Sequence, residues 1–115
     1  MGAYNRLHTP FTCPDCNQQF AGILQFKYGH TWQLNYHLED TLQWGGNDIG
    51  SPDFKKVRVY GIMEVETCPL CHSFILQEDY DILVENNTLK SITPLASMKD
   101  YLEAPAVDGD YIPLE

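Results

Sequence analysis

The four cysteines of this 115-residue chain fall into two copies of one short motif, Cys13-Pro14-Asp15-Cys16 and Cys68-Pro69-Leu70-Cys71. Two such turns can place four thiolates at the corners of a tetrahedron, the arrangement a structural Zn²⁺ adopts. One CxxC alone carries little information. Two copies with the same Cys-Pro-x-Cys spelling and no cysteine left over define a candidate ligand set of Cys13, Cys16, Cys68 and Cys71. Three other chemistries draw on the same residues. A disulfide framework needs an oxidising compartment, and Met1-Gly2-Ala3-Tyr4-Asn5-Arg6 offers neither an apolar h-region nor a cleavage site. A glutaredoxin-like dithiol belongs where a strand runs into a helix and has no use for a second copy. Cys68 to His72 spells the C-x-x-C-H of c-type haem attachment, which leaves the other pair without a role. One structural zinc uses all four.

Four cysteines fill the coordination sphere of zinc and leave no open position for water. His72 replacing one cysteine would open such a position, but the spacing favours the cysteines. Nothing else in the sequence assembles into a catalytic set. There is no nucleophile elbow, no HExxH and no phosphate loop, and His8, His30, His37 and His72 are scattered. A carboxylate pair such as Asp79 and Asp81 would need a cleft to do acid–base work. The expectation is a protein that is not an enzyme.

The elements that must position the cysteines are mostly strands. Residues 20–28 alternate so that Phe20, Leu24, Phe26 and Tyr28 share a face. Residues 31–38 alternate most regularly, with Trp32, Leu34, Tyr36 and Leu38 on one side, and read as a half-buried antiparallel strand. Thr41 to Trp44 is a short further strand. Residues 55–66 set Val57, Val59, Met63 and Val65 against Lys56, Arg58, Tyr60, Ile62 and Glu64. His72 to Leu76 is a short strand past the second turn, and residues 80–92 form a hairpin with Asn86-Asn87 as its turn. Thr93-Pro94 then reads as the N-cap and first residue of a helix carrying Leu95, Met98 and Leu102 up to about Ala104, where Pro105 stops it. The fold class is mainly β, an expanded zinc ribbon or antiparallel sheet with one C-terminal helix. Residues 1–10 read as an N-terminal arm, 11–104 as a single zinc-stapled domain, and 105–115 as an acidic tail ordered only when something binds it. The metal ties together the two ends of the long excursion between the turns.

The segment Trp44-Gly45-Gly46-Asn47-Asp48-Ile49-Gly50-Ser51-Pro52 is the most unusual loop. Its glycines, Asn47 and Asp48 suit positive φ, and a structural role outweighs a binding one because turn chemistry accounts for every residue. It lacks the Gly-Lys-Ser/Thr ending of a phosphate loop and has too few oxygen ligands for calcium.

The net charge of −9 lies entirely in the second half. Residues 1–59 hold five acids and five bases, whereas residues 60–115 hold eleven acids against Lys90 and Lys99. Phosphate backbones repel such a surface, so nucleic acid is not the expected partner. A basic protein is attracted and steered. No apolar run reaches the length of a membrane span, and reduced cysteines point to the cytoplasm.

Leu24-Gln25-Phe26-Lys27-Tyr28-Gly29 followed by Trp44 to Gly50, bracketed by the two CPxC turns, resembles a group of small bacterial zinc-ribbon-like proteins. The likeness covers about residues 11–72 and implies a fold and a bacterial origin, with no activity to carry over. Two functions follow from the residues. One is an acidic binding module, most concretely an immunity-type inhibitor or adaptor that covers a basic surface. Its candidate contacts are Asn47, Asp48, Glu78, Asp79, Asp81, Glu85, Asp108 and Asp110. The other is a metal or redox protein that acts through its CxxC pairs, with a nucleic-acid-associated factor third.

Overall fold

In the computed structural model, described for residues 4–95, 97–103, 106–107 and 109–114, strands dominate and one short helix lies near the C-terminus. The largest sheet runs in the order β4 (Asn35–His37), β1 (Asn5–Thr12), β2 (Gln19–Phe26), β6 (Lys56–Met63), β7 (Asp79–Glu85) and β8 (Thr88–Pro94). β3 (Gly29–His30) and β5 (Asp48–Ile49) pair separately as a small two-stranded sheet. Alternation sets which residues go inside. Leu7 and Phe11 of β1, Phe20, Leu24 and Phe26 of β2, Val57, Val59 and Met63 of β6, and Tyr80, Ile82 and Val84 of β7 are all buried. Their neighbours in sequence face outward, as a period of two requires.

The two hairpins that matter for the cysteines are β1–β2 and β6–β7. The first is antiparallel from Asn5↔Phe26 to Thr12↔Gln19, and the first CPxC turn lies at its tip. The second is antiparallel from Lys56↔Glu85 to Ile62↔Asp79, and the second turn lies beyond it. β2 and β6 bring the hairpins side by side, pairing from Leu24↔Met63 to Phe26↔Gly61. Beyond the bond from Glu64 N–H to the Ile23 carbonyl the two strands separate, leaving the turns to meet through their side chains.

Several expectations are corrected. Residues 5–10 are no arm but most of β1, held between β2 and β4 because Leu7 is fully buried and Asn5 is buried with its amide satisfied. Asn5 Nδ2 donates to the carbonyls of Tyr28 and His30, and Oδ1 accepts from the N–H of Leu34 at 3.1 Å. That contact interrupts the ladder next to residues 31–34, where only Gln33 N–H to the Tyr4 carbonyl and Arg6 N–H to the Leu34 carbonyl join the two backbones. Gln33 takes φ 55°, the strand survives only as Asn35–His37, and it runs parallel to β1 instead of antiparallel. Tyr36 is buried, but Trp32 is 67% exposed. Thr41 forms a single bridge to Thr88, and Thr67 one to Phe74, in place of the short strands expected at 41–44 and 72–76.

The hairpin at 80–92 forms as read, with Asn86 and Asn87 at φ 50° and 62°. It runs further than read, since Thr93 and Pro94 pair with Asp81 and Tyr80 and so cannot start a helix. The helix α1 is the single turn Lys99–Leu102, anchored by buried Tyr101 while Leu102 lies 77% exposed. Its expected end at Ala104 and Pro105 lies outside the described residues. The tail is also part of the fold. β9 (Tyr111–Pro113) pairs with Val57–Val59 on the edge of β6 that β2 uses further along, and it buries Tyr111 and Ile112.

Candidate metal centre

The two CPxC turns are the same structure built twice, 55 residues apart. Cys13 N–H donates to the Gln18 carbonyl at 2.9 Å, and Asn17 N–H donates back to the Cys13 carbonyl at 2.8 Å. In the second turn Cys68 N–H donates to the Ser73 carbonyl and His72 N–H to the Cys68 carbonyl, both at 2.9 Å. The fifth residue of each turn is left-handed, Asn17 at φ 59° and His72 at φ 62°. A threonine precedes each motif and pairs across it, Thr12 with Gln19 and Thr67 with Phe74. Proline after the first cysteine fixes φ where the turn begins and gives up an N–H it does not need.

The turns bring Cys13, Cys16, Cys68 and Cys71 together, with their Sγ atoms all within 4.8 Å of one another. The pairs across the turns are the close ones, Cys13 to Cys71 at 3.7 Å and Cys16 to Cys68 at 3.8 Å. All four are free thiols. Cys13 and Cys68 are buried, Cys16 half-buried and Cys71 exposed, so the cluster sits at the rim of the core. Sulfur also receives help from the surrounding polar groups. Leu70 N–H points at Cys68 Sγ at 3.4 Å, and Ser73 Oγ lies 3.4 Å from Cys71 Sγ. Such contacts orient ligand sulfur and spread its charge.

The environment divides the thiols. Hydrogen bonds from the Ser73 hydroxyl and backbone push Cys71 down to about 6. For Cys16 the backbone of Gln18 favours the thiolate, yet burial and the three neighbouring cysteines outweigh it and push the thiol up to about 12. A cation shared by four sulfurs removes that conflict by allowing all of them to ionise. The donor set fits one metal ion that prefers sulfur in four-fold coordination. His72 belongs to the backbone of its turn, and the cluster has its four ligands without it.

The acidic residues expected at a partner surface lie on separate elements and are largely engaged. Asp48 accepts from the N–H groups of Gly45 and Gly46, and Asn47 Nδ2 donates to the carbonyl and hydroxyl of Thr31. These bonds support the structural reading of that loop. Asp79 accepts from the Tyr60 hydroxyl, while Asp81 accepts from Tyr101 and pairs with Arg58 at 2.7 Å. Glu78 is exposed, Glu85 lies opposite Lys56 in the β6–β7 ladder, and Asp110 is half-buried with its carbonyl accepting from Tyr60 N–H. Asp108 lies outside the described residues. The sequence reading passed over Ser73, whose only signal was its place two residues after a ligand. It also passed over an apolar cleft of about 450 Å³ beside the cysteines, walled by Phe11, Phe20, Phe74, Leu76 and Tyr80.

A mainly β protein with a four-cysteine cluster at the tips of two adjacent hairpins is what fold and site together define. No family model, curated protein or solved structure matches the chain. Among the described residues no helix is long and apolar enough to cross a membrane.

Proposed function

We propose that this protein is a zinc-stapled interaction module, most concretely an immunity-type inhibitor or adaptor that covers a basic surface on a partner protein. The observation that carries the reading is the complete set of four free thiols within 4.8 Å. A metal held by four thiolates has no vacant position for a substrate, so it shapes the fold and does not react. The net charge of −9, all of it from residues 60–115, supplies attraction for a basic partner and repulsion for nucleic acid. In this reading the protein is not an enzyme and works in the cytoplasm.

Native mass spectrometry of the reduced, untagged protein tests it. One bound zinc and a co-purifying basic protein whose binding weakens steeply with salt are expected. Binding that ignores salt, or a protein that never has a partner, counts against the module. Redox chemistry is the second reading, favoured by the exposure of Cys71 and its depressed thiol value. It requires that mild oxidation with diamide join Cys13 to Cys71 or Cys16 to Cys68, the pairs at 3.7 and 3.8 Å, with loss of two hydrogens per bond. Zinc that stays bound and keeps all four thiols reduced sinks that alternative.

A further inference from the structure

We infer that the cleft between the two cysteine turns is a docking surface for a protein segment carrying an apolar side chain flanked by lysine or arginine. The inference rests on the reading of the protein as a module for a basic partner, and it names the face that binds.

Because the two turns make the same backbone bonds 55 residues apart, their positions correspond. Phe20 and Ile75 are equivalent, and both pack on the core. The exposed positions differ in kind. The first turn has Asp15, Gln19 and Ala21 where the second has Leu70, Phe74 and Leu76. Leu70 is 52% exposed, Phe74 77% and Leu76 91%. The first copy shows that the turn forms with polar or small residues at these places, so the fold does not ask for three large apolar ones. Clustered exposed apolar side chains of this kind mark interaction sites. Phe74 and Leu76 also line the cleft, opposite Phe11, Phe20 and Tyr80.

Charge chooses the occupant. Residues 11–20 and 64–78, which build the knuckle end, contain four acids, Asp15, Glu64, Glu66 and Glu78, and no lysine or arginine. Glu64 is paired with Arg6, but Asp15, Glu66 and Glu78 are exposed and form no ion pair among the described residues. Asp15 stands in the wall of the cleft, and the carbonyl of Glu66 accepts from the N–H of Ile75, one of the lining residues. An anionic lipid surface or a nucleic acid is repelled here, whereas an apolar anchor with basic flanks satisfies both the cleft and its rim.

The test uses the zinc-loaded full chain, labelled for NMR, and three short synthetic peptides. One has leucine and phenylalanine anchors between lysines, one keeps the lysines with serine anchors, and one sets the anchors between glutamates. Only the first is expected to shift the amides of residues 11–21 and 70–80. Phe74→Ser and Leu76→Ser, which lose little core packing, are each expected to weaken its binding about tenfold while metal content stays unchanged. Equal binding of the serine peptide, with shifts spread along β7 and α1, overturns the cleft but leaves the basic-partner reading standing. No shift with any peptide overturns the cleft as well, and the salt-dependent partner measurement then decides the broader reading separately. Self-association of the wild type that Leu76→Ser abolishes makes a second copy the occupant and overturns the inference.

Discussion

On the proposed reading of the four cysteines as a metal site, stripping the metal should open the end that carries them and leave the rest of the sheet standing. The last backbone bond between the hairpins on that side runs from Glu64 N–H to the Ile23 carbonyl at 2.9 Å. Past it, the turns are joined by their thiols and by the edge-to-face contact of Phe11 with Tyr80, with ring centroids 5.2 Å apart. The sulfurs of Cys16 and Cys68 close a loop that includes the 51 residues between them. In the chain-entropy account, a cross-link closing a loop of that length contributes about 4 kcal/mol. That value is a floor, because an unfolded chain also releases the metal. Total stabilities run to about 5–15 kcal/mol, so the metal-free protein should be marginal. Urea unfolding followed by tryptophan fluorescence, with and without excess chelator, measures the difference. With a slope of about 2 kcal/mol/M the midpoint should fall by about 2 M. Amide spectra of the metal-free form should lose dispersion for residues 11–20 and 64–78 and keep it around Val59, Ile82 and Leu89. A midpoint that moves by less than about 0.5 M would refute the metal as the link between the turns. Loss of dispersion everywhere would refute the independence of the sheet.

Three further outcomes follow from contacts away from the cysteines. Asn5→Ala strands the carbonyls of Tyr28 and His30 and the N–H of Leu34, all bonded to Asn5 at 3.1 Å. At about 1–3 kcal/mol per stranded group, a loss of about 3 kcal/mol is expected in chemical denaturation, and a loss below about 1 would show that water replaces the amide. Gly22→Ala would put a Cβ 2.0 Å from Phe11 Cδ2. It should destabilise by about 1–3 kcal/mol, and a double-mutant cycle with Phe11→Leu should recover much of that; an additive result removes Phe11 as the cause. Burial pushes the Tyr28 phenol up to about 12 even though its bond to the Ser51 carbonyl is satisfied. Its folded value exceeds the ordinary value of about 10, so the neutral phenol's contribution is full below about 10 and is lost as pH rises through about 12. The difference between ultraviolet tyrosinate titrations of the wild type and Tyr28→Phe should therefore be a late step, and a difference centred at the ordinary value would contradict the burial argument.

How far the sequence could be read depended on whether local rules or distant partners decided each element. β2 and β6 were legible because one face of each is buried, which leaves Phe20, Leu24 and Phe26, and Val57, Val59 and Met63, at a period of two. The Asn86-Asn87 turn was legible because both positions need a left-handed backbone. β1 was hidden by Arg6, His8 and Pro10, yet Pro10 lies beyond Arg6–His8, the part that β4 covers, at an edge position that admits proline. β9 is three residues long, and only its pairing with β6 makes it a strand. The Thr93-Pro94 helix signal was real as local chemistry but lost to the β7 ladder, which had already claimed both residues.

The candidate site divides in the same way. Four cysteines at two fixed spacings could be recognised because a tetrahedral ion constrains its ligands wherever the chain goes between them. The neighbouring cleft could not, because Phe74, Ile75 and Leu76 in isolation read as the inside of a short strand. They become unusual only when set against Gln19, Phe20 and Ala21, which occupy the same positions in the first turn. In that comparison one residue of the three packs on the core in both copies, and the other two change from polar or small to large and apolar without moving inside. A fold that repeats itself therefore separates what its own packing needs from what it presents to solvent. By that measure the second cysteine turn presents more apolar surface than the fold requires.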